Sequence, residues 1–393
     1  MEKPVSDIIK GDSVTDGPYV DSIQPYFSYI PISPSQIFTS LIMTSLYREL
    51  QDVNVIVSPG LQPDVRLKVF DRWQFHVHSV ILKLYSAFFR KFLDPSNRDA
   101  SAGATSFSQF KYEWVTEIDD DGMGWHLVSE GSRTKELNML DYMTGHQASV
   151  DFTASVLNKL LGALYLEPYS LTTAAELNAL AELADYYCML RVVSRTLDGV
   201  LSSSSDIIRS MRSGSGKTAR LLLPAAAKLR HRPLFSDCIL LSIGRWCESS
   251  HIDLRDPGFG ELVTVVRNRI AFKVSKALGN IISLSLTSQD EDEEEGSLIM
   301  EVAKDLINCN YNTQVPGSSE VCLPQYIKAV SQLRYRAPHR FMFRAACFEV
   351  LLNKLYISPN VDFHFTCDGI SEGFLCDTVK DEELPWNVEE MDW

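Results

Sequence analysis

The chain of 393 residues has no stretch of about 18 or more consecutive apolar residues, roughly the length a helix needs to cross a bilayer core. Its first residues, MEKPVSDIIKGDSV, lack the apolar segment of a secretory signal. Eight cysteines are scattered singly with no CxxC pair and none closer than the separation of Cys367 and Cys376, which matches no common zinc framework. Reduced thiols in a cytoplasmic or nuclear protein, with no bound metal, are therefore expected. No repeat of fixed period is present, which argues against a solenoid or propeller. The GxSxG elbow of the serine hydrolases is missing as well. Base is scarcer than acid, 37 Lys and Arg against 51 Asp and Glu, for a formal net charge of −14. That balance speaks against nucleic acid and anionic membranes as partners.

The charge is unevenly spread. From Arg191 to Lys276 bases outnumber acids, whereas DEDEEE (290–295) and the C-terminal tail hold much of the excess acid. Two readings of the basic region stay open: a surface that grips an acidic partner, or a merely solvated face.

Residues 1–34 read as an irregular, proline-bearing arm, and 36–50 place Phe38, Leu41, Ile42, Leu46 and Leu50 at helical spacing. VNVIV (53–57) reads as a short strand. Val65, Leu67 and Val69 alternate with Arg66 and Lys68, and after a short turn Trp73, Phe75 and Val77 alternate with Gln74 and His76, which predicts a β-hairpin. From Ser79 the period lengthens, with Ile81, Leu82, Tyr85, Phe88, Phe89 and Phe92 on one helical face broken near Ser86. A second hairpin is expected from KYEWVTEI and GWHLVSE around the acidic turn at 119–122. Calcium is excluded at that turn, because Glu117 and Val128 stand where an EF-hand loop needs Asp and Glu. From about 150 onward helices dominate, with TAAE (173–176) as a capping box.

The stretch 64–94, followed by 152–187, resembles a BTB/POZ domain. The matching elements are Asp64-Val65 with Leu67 and Val69, then Phe75-His76-Val77-His78, Ile81-Leu82 and Ser86-Ala87-Phe88-Phe89. Leu164-Tyr165 and the helix ending Leu183-Ala184-Asp185-Tyr186 follow in the family's order. The long insertion between the two halves makes the chain similar to the BTB proteins of filamentous fungi. Asp64, His78, Ser86, Phe88 and Phe89 form its structural signature here. Ser79 stands where the family usually has Lys or Arg. The resemblance implies a homodimer joined through apolar surface of the first helices, here residues 36–50 and 79–89. In BTB adaptors of cullin ubiquitin ligases an apolar-x-Glu motif follows the FF pair. Phe92-Leu93-Asp94 sits at that offset with Asp for Glu, so Phe92 and Asp94 are candidate cullin contacts. The competing reading has Phe92 finishing the core face of its helix.

Two other motifs invite chemistry. RSGSGKTAR (212–220) approaches a phosphate-binding loop, but Met211 stands where GxxxxGK[ST] requires its first glycine. No strand is expected before it, so the backbone amides are not set to wrap a phosphate. It reads as a linker. His76 and His78, two apart, are expected to share a strand face without a third ligand nearby.

The expected fold is α+β: a BTB/POZ core of small sheet and clustered helices (35–202), a linker (203–217), an all-helical, BACK-like domain (218–357) and an irregular tail (358–393). The expected function is non-catalytic protein–protein interaction, as an adaptor joining a cullin to an unknown client. The alternative is a homodimeric scaffold or transcription-associated factor with no ubiquitin role, and the third reading is a nucleotide-binding enzyme using Lys217. No cofactor is expected.

Overall fold

The computed structural model describes residues 52–93, 109–119, 124–133, 139–203, 205–212, 216–244, 246, 257–287, 297–312, 322–333, 339–357 and 374–390. All lie in one compact unit, Gln51–Trp393. The arm 1–34, the helix expected over 36–50, the acidic run 290–295 and Asp94 fall outside the described residues.

The molecule is mixed α+β. Strands β1 (Asp52–Val55), β2 (Val65–Val69), β3 (Trp73–Val77), β4 (Tyr112–Ile118) and β5 (Trp125–Ser129) make one sheet in the order β1-β3-β2-β4-β5. Both expected hairpins form as antiparallel pairs, β2 with β3 and β4 with β5, whereas β1–β3 and β2–β4 are parallel. Alternation sets the two faces. Val65, Leu67, Val69, Phe75, Val77, Trp114 and Leu127 point into the core, and Arg66 and Glu113, opposite each other in register, pair on the outer face. The β2–β3 turn holds Phe70 and Asp71 at positive φ, a costly conformation for a bulky residue such as Phe70. Burial of the Phe70 ring and the bond from its N–H to Thr116 Oγ1 (3.0 Å) offset that cost.

Twelve helices follow among the described residues: α1 (Ser79–Tyr85), α2 (Ala87–Phe92), α3 (Met139–Tyr165), α4 (Ala174–Tyr186), α5 (Leu190–Ser203), α6 (Ser205–Arg212), α7 (Lys217–Lys228), α8 (Arg232–Ile243), α9 (Pro257–Thr287), α10 (Ser297–Asn312), α11 (Leu323–Ser331) and α12 (His339–Leu351). The α1–α2 break falls at Ser86, as the pattern predicted. Thr173 caps α4 through Oγ1 on the Glu176 N–H, but the Glu176 carboxylate reaches back to the Thr172 N–H (2.7 Å), one residue before the expected one. None of the helices is long and apolar enough to cross a membrane, among the described residues.

One expectation is corrected. The stretch 203–217 is more than a serine-rich linker: it contains α6, whose Ile207 and Met211, one helical turn apart, are buried. One hydrophobic cluster runs from Ile56 in the sheet half to Leu384 near the C-terminus, so this stretch belongs to the core. The tail does lack regular structure over 374–390, apart from a single turn at Asp381–Glu383, yet Phe374, Leu375, Cys376 and Val379 are buried. It is a strap laid against α8, α9 and α12.

Candidate interaction surface

Asp64, ahead of β2, reaches the start of α1. Its carboxylate accepts from the Ser79 N–H (2.7 Å) and the Ser79 hydroxyl (2.6 Å). The acid thus serves the N-terminus of a helix, where unpaired amides and the helix dipole favour it. Ser79, where a basic residue was the usual choice, is its partner. His78 turns elsewhere: its N–H donates to the Tyr165 hydroxyl (2.8 Å), and its Nδ1 lies 3.0 Å from the same oxygen. Burial pushes the Tyr165 phenol up to about 12, so it stays protonated. His76 packs its ring on Phe110 instead (4.5 Å). The two histidines do not converge, and no group of three metal-ligating side chains occurs among the described residues.

Ser86 is the joint between α1 and α2. Its hydroxyl donates to the Tyr187 carbonyl (2.7 Å) and accepts from the Phe89 N–H (3.1 Å), capping α2. Phe89 is buried and stacks on Tyr187, with centroids 5.6 Å apart, and Phe88 meets the same ring edge-on at 5.1 Å. The tyrosine at the centre of this packing is Tyr187. Tyr186, which carries the family pattern, is exposed.

That joint fixes what α1 and α2 turn outward. Leu82 and Phe89 face the core, while Val80, Leu84 and Tyr85 on α1 and Phe92 on α2 are exposed, Leu84 to 63% and Phe92 to 46%. Val80 and Leu84 are one helical turn apart, so they form one ridge. The reading of Phe92 as a core residue is corrected. Leu93 takes the buried place, and Phe92 lies on the rim against Phe88 (4.7 Å) and Trp114 (6.5 Å).

Lys217 is exposed in the first turn of α7, and the element before it is helix α6 rather than a strand. Gly216 has a packing reason to be glycine. Its φ is +71°, and a Cβ there would lie 2.9 Å from the Leu241 carbonyl of α8. Thr218 spends its hydroxyl on Ser210 (3.0 Å).

The basic stretch meets the chain's own acids. Lys228 pairs with Glu182 and Asp185 of α4. Arg269 binds Asp377, Glu383 and the Thr378 carbonyl, and Lys273 binds Asp377 (2.7 Å) and Glu349 (3.1 Å). Arg232 pairs with Asp381 (2.7 Å) and Arg230 with Glu390 (2.6 Å). Burial works against the charge of Asp377, but Lys273 and Arg269 outweigh it and hold its pKa below the usual value. No sequence period marks this arrangement; the excess of base in one region and of acid in the tail was its only trace. Comparison with known proteins adds nothing to these observations: no family model, curated protein or solved structure matches the chain.

Proposed function

We propose that this chain is a non-catalytic protein–protein interaction module of BTB/POZ type that pairs with a second copy through the outward face of α1 and α2. The observation that carries this reading is the exposed ridge of Val80, Leu84 and Tyr85 on helices held rigid by the Ser86 joint. Apolar residues grouped on a fixed support are the pattern of a surface that is covered in an assembly. The capping of α1 by Asp64 and the packing of Phe88 and Phe89 on Tyr187 fit the same assignment, because they give the signature residues structural work. Sedimentation analysis tests it. The wild-type chain is expected to dimerise, and Leu84→Asp to be monomeric with an unchanged melting temperature. A wild-type monomer at roughly tens of micromolar, near the weak end of specific association, ends the dimer reading.

The adaptor form gains support from Phe92. An anchor for a cullin has to be accessible, and Phe92 is. Phe92→Ala should weaken cullin binding by about 2 kcal/mol or more, as loss of a buried anchor does, without loss of stability. Asp94→Glu should preserve or tighten it. Absence of wild-type binding to a purified cullin leaves the scaffold form.

A further inference from the structure

The strap has two parts held in different ways. In the inner part, Leu375 donates its N–H to the Gly244 carbonyl and Cys376 to Val350, and Asp377 and Val379 are buried. The outer part, 380–390, keeps its backbone bonds to itself. Lys380 N–H goes to the Glu383 carboxylate, Glu383 to Lys380, Leu384 to Asp381 and Glu390 to Asn387. Leu384 is its one buried side chain. Besides Leu384, which packs in the core cluster, four side-chain contacts among the described residues fasten it: Asp381 to Arg232, Glu390 to Arg230, Glu383 to Arg269, and the Trp386 ring edge-on to Phe235 at 5.1 Å. The Arg232 and Arg230 pairs reach solvent, where salt bridges hold weakly and salt screens them.

We propose that residues 380–390 are a releasable cover, and that the surface beneath them is a docking site for an acidic, tryptophan-bearing segment of a partner protein. The strap itself shows the chemistry. KDEELPWNVEE carries acids on both sides of one tryptophan, and the surface answers with Arg230 and Arg232 beside the buried Phe235. An arginine fork recognises carboxylates, and a tryptophan against an aromatic ring is a strong anchor. Lifting the outer part separates Arg230 from Glu390 and Arg232 from Asp381 and bares Phe235 where Trp386 now lies, while Arg232 keeps its contact with Tyr356 and the inner part stays in the core. Tethering gives the cover a high effective concentration, so the site opens only to a ligand that outcompetes it. The surface is separate from the α1–α2 ridge and does not depend on the pairing reading.

The test uses the full chain carrying Asp381→Lys, Trp386→Ala and Glu390→Lys together. The probe is a fluorescent peptide with the sequence of residues 380–390. The variant should melt near the wild-type temperature, exchange its 380–390 amides faster, and bind the peptide, whereas the wild type binds it at least about tenfold more weakly because its own cover competes. Binding should fall as salt rises and vanish when Arg230→Glu and Arg232→Glu are added. Unchanged exchange over 380–390, no peptide binding by a released variant, or binding indifferent to the arginines each overturns the proposal. If the variant does not fold, native-state exchange on the wild type decides. Opening of 380–390 well below the global unfolding free energy supports a releasable cover, and opening only with global unfolding refutes it.

Discussion

Helices α1 and α8 break the rule of apolar inside and polar outside in opposite directions. On α1, Val80, Leu84 and Tyr85 stand in solvent. On α8 every residue from Leu234 to Ile243 is buried, Ser236, Asp237 and Ser242 included. Two of these three polar residues find partners inside the chain, while the Ser236 hydroxyl has none among the described residues. Asp237 accepts from the Tyr356 and Ile357 amides (2.8 and 3.0 Å), and Ser242 donates to the Cys238 carbonyl. At the N-terminus of α8, His231 accepts from the Leu234 N–H through Nδ1, so its Nε2 carries the proton that faces Asp198 (3.0 Å). A buried polar group can be satisfied by the fold that buries it, and leaving one unpaired costs about 1–3 kcal/mol. An exposed apolar ridge carries no such requirement within the monomer. In the proposed pairing a second copy covers it.

The largest effect expected from breaking this contrast is on the inner side of the α1–α2 pair. Phe89→Ala should cost about 3–5 kcal/mol, because the ring is buried and stacked on Tyr187. Arg90→Ala next to it should cost less than about 0.5 kcal/mol. Equal, small effects in chemical denaturation would mean that the joint does not organise the two helices.

The buried polar groups at α8 should impose a pH dependence on stability. Burial raises the Asp237 pKa from 3.8 to about 7, against the pull of its two amide donors. The folded state therefore holds this proton to higher pH than the unfolded chain. The stability it contributes is full below 3.8 and is lost as pH rises through about 7, by up to about 1.4 kcal/mol per pH unit within that window. Asp237→Asn should flatten that decline. His231 has the opposite sign. Burial lowers its pKa from 6.5 despite Asp198, so its contribution is present above 6.5 and is lost as pH falls through the lowered value. Denaturation midpoints across pH for both substitutions measure the two slopes, and parallel slopes would contradict the assignment.

The smallest effect concerns Lys217. Lys217→Ala should change stability by less than about 0.5 kcal/mol, and ATP should not raise the melting temperature. A specific ligand at a hundredfold excess over its Kd would add about 2.7 kcal/mol, so an ATP-dependent shift abolished by the substitution would revive the nucleotide reading.

Much of the sheet half was legible because its signals are local. Alternation in 65–69 and 73–77 marks two strands, the short turn pairs them, and the change of period at Ser79 marks a helix. Ser86 shows as a break because a serine followed by a new apolar run is a cap. Other features depend on contacts between distant residues. The parallel pairing of β2 with β4 joins residues more than forty positions apart, with no turn to announce it. Phe92 and Leu93 are adjacent and both apolar, and only the end of α2 decides which is buried. Gly216 resembles part of a phosphate loop until the Leu241 carbonyl beside it is seen.

By itself the sequence determined the type of most elements, though not of α6, together with the two hairpins, the break at Ser86 and the segregation of base from acid, since propensity, alternation and capping act over a few residues. Tertiary structure alone decided the strand order, the outward ridge of α1 and the place of the C-terminal strap. Arg269 and Asp377 are 108 positions apart, and no local period connects them. Their meeting follows from the shared core that brings α9 and the strap together, where a buried carboxylate is tolerated only beside cations that compensate for its lost water.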